Sequence, residues 1–284
     1  MNTTISEIPQ SEVYFPSVLY KYRDWNNDFH KKIISEQTVY FAQPSDFKED
    51  PYDCKLPNKI LTKEEIYDNF LQIEKSRNPN RTRQEYRKFA RDATKESLMT
   101  DENYQKLKFE EQFADFDRDA GVLCLTADAY NFEMWNKYAN LHKGFCVGFD
   151  TQKMFDQIQP HSYGNVIYCD KLPKITPFNP YLGNDGKRQY LEDFCKQIIS
   201  KERKWEFEKE YRIFENYSNP NYKRDRVVKL SKDCLKEIIF GAMMPQKQID
   251  EIISICKQQK LAVEFYKAQI AENNEISIEK YLPK

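Results

Sequence analysis

The stretch M-W-N-K-Y-A-N-L-H-K-G-F-C-V-G-F-D, residues 134–150, decides how this chain is read. It holds one of three tryptophans and one of three histidines. Trp135, Tyr138 and His142 stand at i, i+3 and i+7, a spacing that predicts one shared helical face. Gly144 then stops the helix, and F-C-V-G-F-D reads as a strand. An aromatic face ending in a histidine beside a strand suits a ligand. It suits a core equally well.

Upstream, residues 1–17 are polar and read as a loose arm. V-L-Y-K-Y-R (18–23) predicts a strand, Asp28 to Glu36 a helix, and T-V-Y-F-A (38–42) a second strand. A polar loop stiffened by Pro44 and Pro51 follows. Residues 62–118 change character: Thr62 with Glu65, and Thr82 with Glu85, form capping boxes, and Asp101 is a further N-cap. They predict two or three charged helices as an insertion. Its stretch R-N-P-N-R-T-R (77–83) is the best local cationic patch.

Alternation returns at Gly121 to Ala127. Downstream, strands are expected at Val166–Cys169, Glu210–Phe214, Arg226–Leu230, Ile238–Phe240 and Val263–Tyr266. Helices are expected at Lys187–Lys204 and from Pro245 to about Gln259. Many short strands without steady strand–helix alternation predict an α+β fold. One domain is expected over 18–284, carrying the insertion.

Composition narrows the function classes. Lys+Arg (44) and Asp+Glu (45) leave a net charge of -1, so no global pull acts toward nucleic acid or anionic membrane. Neither a dinucleotide fingerprint nor a P-loop occurs among only 7 glycines. The seven cysteines are scattered without a C-x-x-C pair, which argues against a disulfide framework and a thiolate zinc site. No histidine pair has ligand spacing. With no signal peptide or long apolar run, a cytoplasmic chain with no membrane is expected.

Four segments carry candidate chemistry: K-Y-R (21–23), the acidic loop 46–53, the opening stretch, and W-E-F-E-K-E-Y-R (205–212). If the last is extended, Glu206, Glu208, Glu210 and Arg212 share a face opposite Trp205, Phe207 and Tyr211. Crowded carboxylates repel unless a cation sits among them, which is costly in a plain strand and useful in a site. Alternatively, Glu206 and Glu208 end a solvated helix, and only Glu210 and Arg212 enter the sheet.

In this order the four segments resemble a bacterial domain-of-unknown-function family, number 2971. Its pattern has K-Y-R, then F-x-x-P-x-x-F-N-D-P-F-D, then M-W-x-x-Y-A-x-x-H-x-G-F and E-x-E-Y-R. Here they read L-Y-K-Y-R (19–23), F-A-Q-P-S-D-F-K-E-D-P-Y-D (41–53), M-W-N-K-Y-A-N-L-H-K-G-F (134–145) and E-K-E-Y-R (208–212). Glu49 stands where the family has asparagine, in a loop one residue longer.

The arrangement also resembles the ADP-ribosyltransferase fold of toxin-type enzymes. That resemblance implies two small packed β-sheets around a central cleft that takes NAD. It implies a catalytic set of Glu210, His142 and Tyr22. Lys21, Arg23, Trp135, Tyr138, Arg212 and Asp53 would hold the cofactor. A fixed carboxylate stabilises the oxocarbenium-like ribose, an arginine holds pyrophosphate, and aromatic rings stack. A nucleic-acid or protein acceptor, a neutralising partner protein, and a toxin or anti-phage role follow from it. Two alternatives stand beside it. One is a magnesium-dependent nuclease using Asp50, Asp53, Glu208 and Glu210. The other is a non-catalytic binding module.

Overall fold

The computed structural model describes residues 15–176, 183–218 and 225–283, with backbone alone at 183–185 and 187. The chain folds into two compact units. The first gathers the described residues up to Ala42, then Gly121–Val166, then Arg203 onward. The second is built from Gln43–Ala120 and Ile167–Glu202. The insertion expected at 62–118 is therefore part of a unit that the chain enters twice. The expected arm lies outside the described residues as far as residue 14.

In chain order, the first unit begins with β1 (Val18–Arg23), α1 (Asp28–Ser35) and β2 (Thr38–Tyr40). The second unit supplies α2 (Lys63–Arg77), α3 (Arg83–Glu96) and α4 (Glu102–Asp119). The chain returns as β3 (Ala120–Thr126), α5 (Phe132–Tyr138), β4 (Phe145–Asp150), α6 (Thr151–Ile158) and β5 (Ser162–Asn165). It re-enters the second unit as β6 (Ile167–Cys169), α7 (Gly183–Ile199) and β7 (Ser200–Glu202). The first unit then closes with β8 (Glu210–Asn216), β9 (Val227–Lys229), β10 (Leu235–Phe240), α8 (Gln246–Gln259), β11 (Glu264–Ile270) and β12 (Ile276–Lys280).

The fold is α+β, with several sheets. Where two small sheets were expected, the main one is eight-stranded, in the order β12-β11-β10-β4-β1-β3-β8-β5. β2-β9 and β6-β7 each form a separate two-stranded sheet. The main sheet has a weak seam. β1 and β4 pair in register from Val18↔Asp150 to Arg23↔Phe145, whereas β1 and β3 pair at Tyr20↔Thr126 alone. Beyond that pair the ladder between β1 and β3 is missing, and the Lys21 ammonium donates instead to the Cys124 carbonyl.

Each face of this sheet buries its own apolar set. Leu19, Leu123, Leu125, Val147, Phe149, Tyr211 and Ile213 pack with Ile33, Ile34, Phe155, Ile249 and Ile252 from α1, α6 and α8. On the opposite face Tyr22, Cys146 and Ile239 pack with Trp135 and Ala139. The period of two along a strand makes the division: Leu19 and Tyr22 differ by an odd number and part company.

In the second unit the expected capping boxes are formed. Thr62 and Thr82 each accept from the backbone of Glu65 and Glu85, which reach back to the cap. Asp101 caps α4 by accepting from the Asn103 amide. Gln105 is buried and bonds Leu61 through both its carbonyl and its amide, which ties α4 to the entry of α2.

Two expected helices end earlier than the sequence suggests. α7 stops at Ile199, and Ser200–Glu202 pairs with β6 instead. α5 stops at Tyr138. Asn140, Leu141 and His142 then take three consecutive left-handed backbone conformations, with φ of 48°, 53° and 63°. Trp135, Tyr138 and His142 thus do not share a helical face. Gly144 is required for lack of room: a Cβ there would come 2.2 Å from the Arg23 carbonyl oxygen. Among the described residues no helix is long and apolar enough to cross a membrane.

Candidate functional site

Charged groups converge where the first unit's sheet is weakest. β8 enters with Glu210 and Arg212, whose carboxylate and guanidinium lie 2.9 Å apart, 5% and 1% exposed. Tyr211 and Ile213 join the α1–α6–α8 core, so strand alternation sends Glu210 and Arg212 to the other face, with Tyr22 and Trp135. Just before β8, residues 203–208 form a 3-10 helix that ends in buried Glu208. Tyr138 donates its hydroxyl to that carboxylate. Of the two readings of W-E-F-E-K-E-Y-R, the helical one describes Glu206 and Glu208, except that Glu208 is buried rather than solvated.

Trp135 is wholly buried, meets Tyr22 edge to face at 5.0 Å, and donates its indole N–H to Ala129 at 2.8 Å. Tyr22 donates to the Asp128 carbonyl at 2.7 Å, and burial pushes its hydroxyl well above the usual pKa of 10. On one face of the sheet, then, stand Tyr22, Trp135, Tyr138, Glu208, Glu210 and Arg212.

Lys21 and Arg23 alternate with Tyr22 and so face the other way. Burial, reinforced by the neighbouring Arg23, lowers the Lys21 ammonium from 10.5 to about 8. Glu210 and Glu208 work against that shift, so their charge reaches Lys21 through the seam between β1 and β3. Burial alone lowers Arg23 from 12.5 to about 10, which leaves both cations charged at neutral pH.

Two expected site residues stand elsewhere. His142 packs on Phe132 at 4.7 Å, is 4% exposed, and leaves both ring nitrogens unbonded among the described residues. Burial lowers its pKa. Asp53 belongs to the second unit, where it forms a buried ion pair with Lys201 at 3.1 Å. Among the described residues, no three histidine, cysteine or acidic side chains stand close enough to hold a metal ion.

Sequence reasoning missed a pocket on the Lys21–Arg23 face. It is partly open to solvent, holds about 50 Å³ of free space, and is lined by β1, α1 and β2, with Leu123 and Val227. Its His30 accepts from the Asp24 amide through Nδ1 at 3.3 Å. Burial first, then Arg23, lowers that imidazole from 6.5 to about 4. The available signal was D-F-H-K-K-I-I at 28–34, where His30 lies off the apolar side made by Phe29, Ile33 and Ile34.

Fold and site define an α+β protein with an eight-stranded sheet and a buried carboxylate–guanidinium cluster beside its seam. Residues 134–213 match the family described as "Protein of unknown function (DUF2971)". The matched stretch contains the opening segment and E-K-E-Y-R, while K-Y-R and the acidic loop lie outside it. No curated protein and no solved structure matches the chain.

Proposed function

We propose that this chain is an NAD-consuming, ADP-ribosyltransferase-like enzyme that modifies a nucleic-acid or protein acceptor, as a bacterial toxin or anti-phage effector does. The observation that carries the reading is the seam. Strands β1 and β3 part beyond one register pair, a lysine enters the gap, and the charges of Glu208 and Glu210 reach it. A split sheet with a cation on one side and carboxylates on the other suits a substrate with both an anionic and a cation-forming part.

Cleaving the glycosidic bond of NAD builds positive charge on the ribose, and a fixed carboxylate in a dry site lowers that barrier. Glu210 takes this role, with Arg212 fixing its orientation from 2.9 Å. Tyr138 holds Glu208 on the same face. Trp135 and Tyr22 support the wall rather than stack on the substrate, because neither has a free ring face. Incubation with NAD and DNA, RNA or protein acceptors tests the reading by nicotinamide release. Glu210→Gln is expected to abolish release. Full activity in that variant, or no release with any acceptor, sinks it.

The depth of Glu210 and Trp135 favours a second reading, a non-catalytic binding module in which the cluster only holds the sheet. A stoichiometric protein partner in a pulldown, without a thermal shift by NAD, supports that reading.

A further inference from the structure

The pocket on the Lys21–Arg23 face has a charge pattern that the Glu210 face does not explain. Lys21, Arg23, His30 and Lys32 line it, and no carboxylate does among the described residues. Among the described residues the Lys21 ammonium bonds one carbonyl oxygen, that of Cys124. For Arg23 the contact is a long 3.4 Å hydrogen bond from Nη1 to the Tyr22 carbonyl. A guanidinium carries five donors, and Arg23 therefore has several left to offer. Lys32 stands at the rim, 3.6 Å from Glu36 and half exposed. Taking two cations out of water is costly, and the carboxylates whose charge reaches Lys21 do not line the pocket. Such a cost is offset when an anion enters the same space.

The pocket also offers a surface for an organic group. Phe29 and Tyr40 meet edge to face at 5.7 Å, and Phe29 is 48% exposed. A large apolar ring left open beside stranded cations suits a ligand that carries a phosphate and a flat ring.

We propose that this pocket binds a phosphate-bearing small molecule of the nucleotide type, separate from the Glu210 face. Arg23 grips the phosphate with two parallel N–H donors. Lys21 supplies a second charge from below, and Lys32 closes over the rim. The ring packs against Phe29. Strand alternation places the site on the α1 side of the sheet, while Glu210 lies on the α5 side. The assignment does not depend on NAD turnover.

Calorimetric titration of the whole chain with inorganic pyrophosphate, and separately with adenosine monophosphate, tests it. Both are expected to bind. Arg23→Gln is expected to weaken both at least tenfold, and the rim variant Lys32→Gln severalfold. Phe29→Ala is expected to weaken the monophosphate and spare pyrophosphate. Glu210→Gln, on the far face, is expected to keep binding both, because removing a negative charge near Lys21 does not weaken its hold on an anion. Absence of binding by the wild type, equal binding by Arg23→Gln, or loss of binding in Glu210→Gln overturns the proposal.

Discussion

Replacing Arg23 with glutamine is expected to move the titration of His30. In the wild type this imidazole titrates at about 4, because its half-buried ring sits beside an unpaired guanidinium. Burial is the larger cause and survives the substitution. The midpoint is therefore expected to rise by roughly one unit, short of the ordinary 6.5.

The same shift bears on stability. Between pH 6.5 and 4 the unfolded chain binds a proton at His30 that the folded chain refuses, so stability falls as pH falls through that window. At about 1.4 kcal/mol per unit, the full shift from 6.5 to about 4 corresponds to at most about 3.5 kcal/mol, less what solvent screens at a partly exposed ring. Only three histidines are present, so a carbon–proton correlation spectrum resolves each, and His30→Asn assigns the signal. Pyrophosphate added to the wild type is expected to raise the midpoint. A wild-type His30 midpoint of 6 or above, or no movement in Arg23→Gln, refutes the argument.

Two further outcomes are expected, one in each unit. Trp135→Ala removes a wholly buried ring, its edge contact with Tyr22 and a hydrogen bond to Ala129. Denaturant unfolding should register a loss of about 3–5 kcal/mol, and a loss under 1 kcal/mol contradicts a core role. Lys201→Met strands the buried Asp53 carboxylate without its ion-pair partner and should cost about 3–5 kcal/mol. The double variant Lys201→Met/Asp53→Leu should recover at least half of that; no recovery means that the loss is not the unpaired charge.

Much of the fold was legible because strands declare themselves by alternation and helices by their caps. β1 and β4 run over the expected residues, and the Thr62, Thr82 and Asp101 caps start α2, α3 and α4. What escaped had no local punctuation. α6 follows β4 without a glycine or proline between them, since Asp150 both ends the strand and caps the helix. The early end of α5 escaped because the left-handed run falls on Asn140, Leu141 and His142 rather than on glycines. Gly144 looked like a helix stop, but its constraint comes from the Arg23 backbone, more than a hundred residues earlier in sequence.

The site was half legible for the same reason. E-K-E-Y-R marked Glu210 and Arg212, and alternation in K-Y-R already sends Lys21 and Arg23 away from Tyr22. The pocket over those cations was not legible, since it needs Tyr40 and Val227 brought together by the β2–β9 ribbon.

The order in which the sheet's strands appear along the chain has a consequence during synthesis. β1 emerges early, but its full-length partner β4 begins only at Phe145. A ribosome adding roughly 5–20 residues each second needs roughly 6–25 s to make the intervening ~120 residues. Until β3 and then β4 are made, V-L-Y-K-Y-R lacks both of its sheet neighbours. Its Lys21 and Arg23 then act as gatekeepers, because charges on a nascent edge discourage pairing with a neighbouring chain.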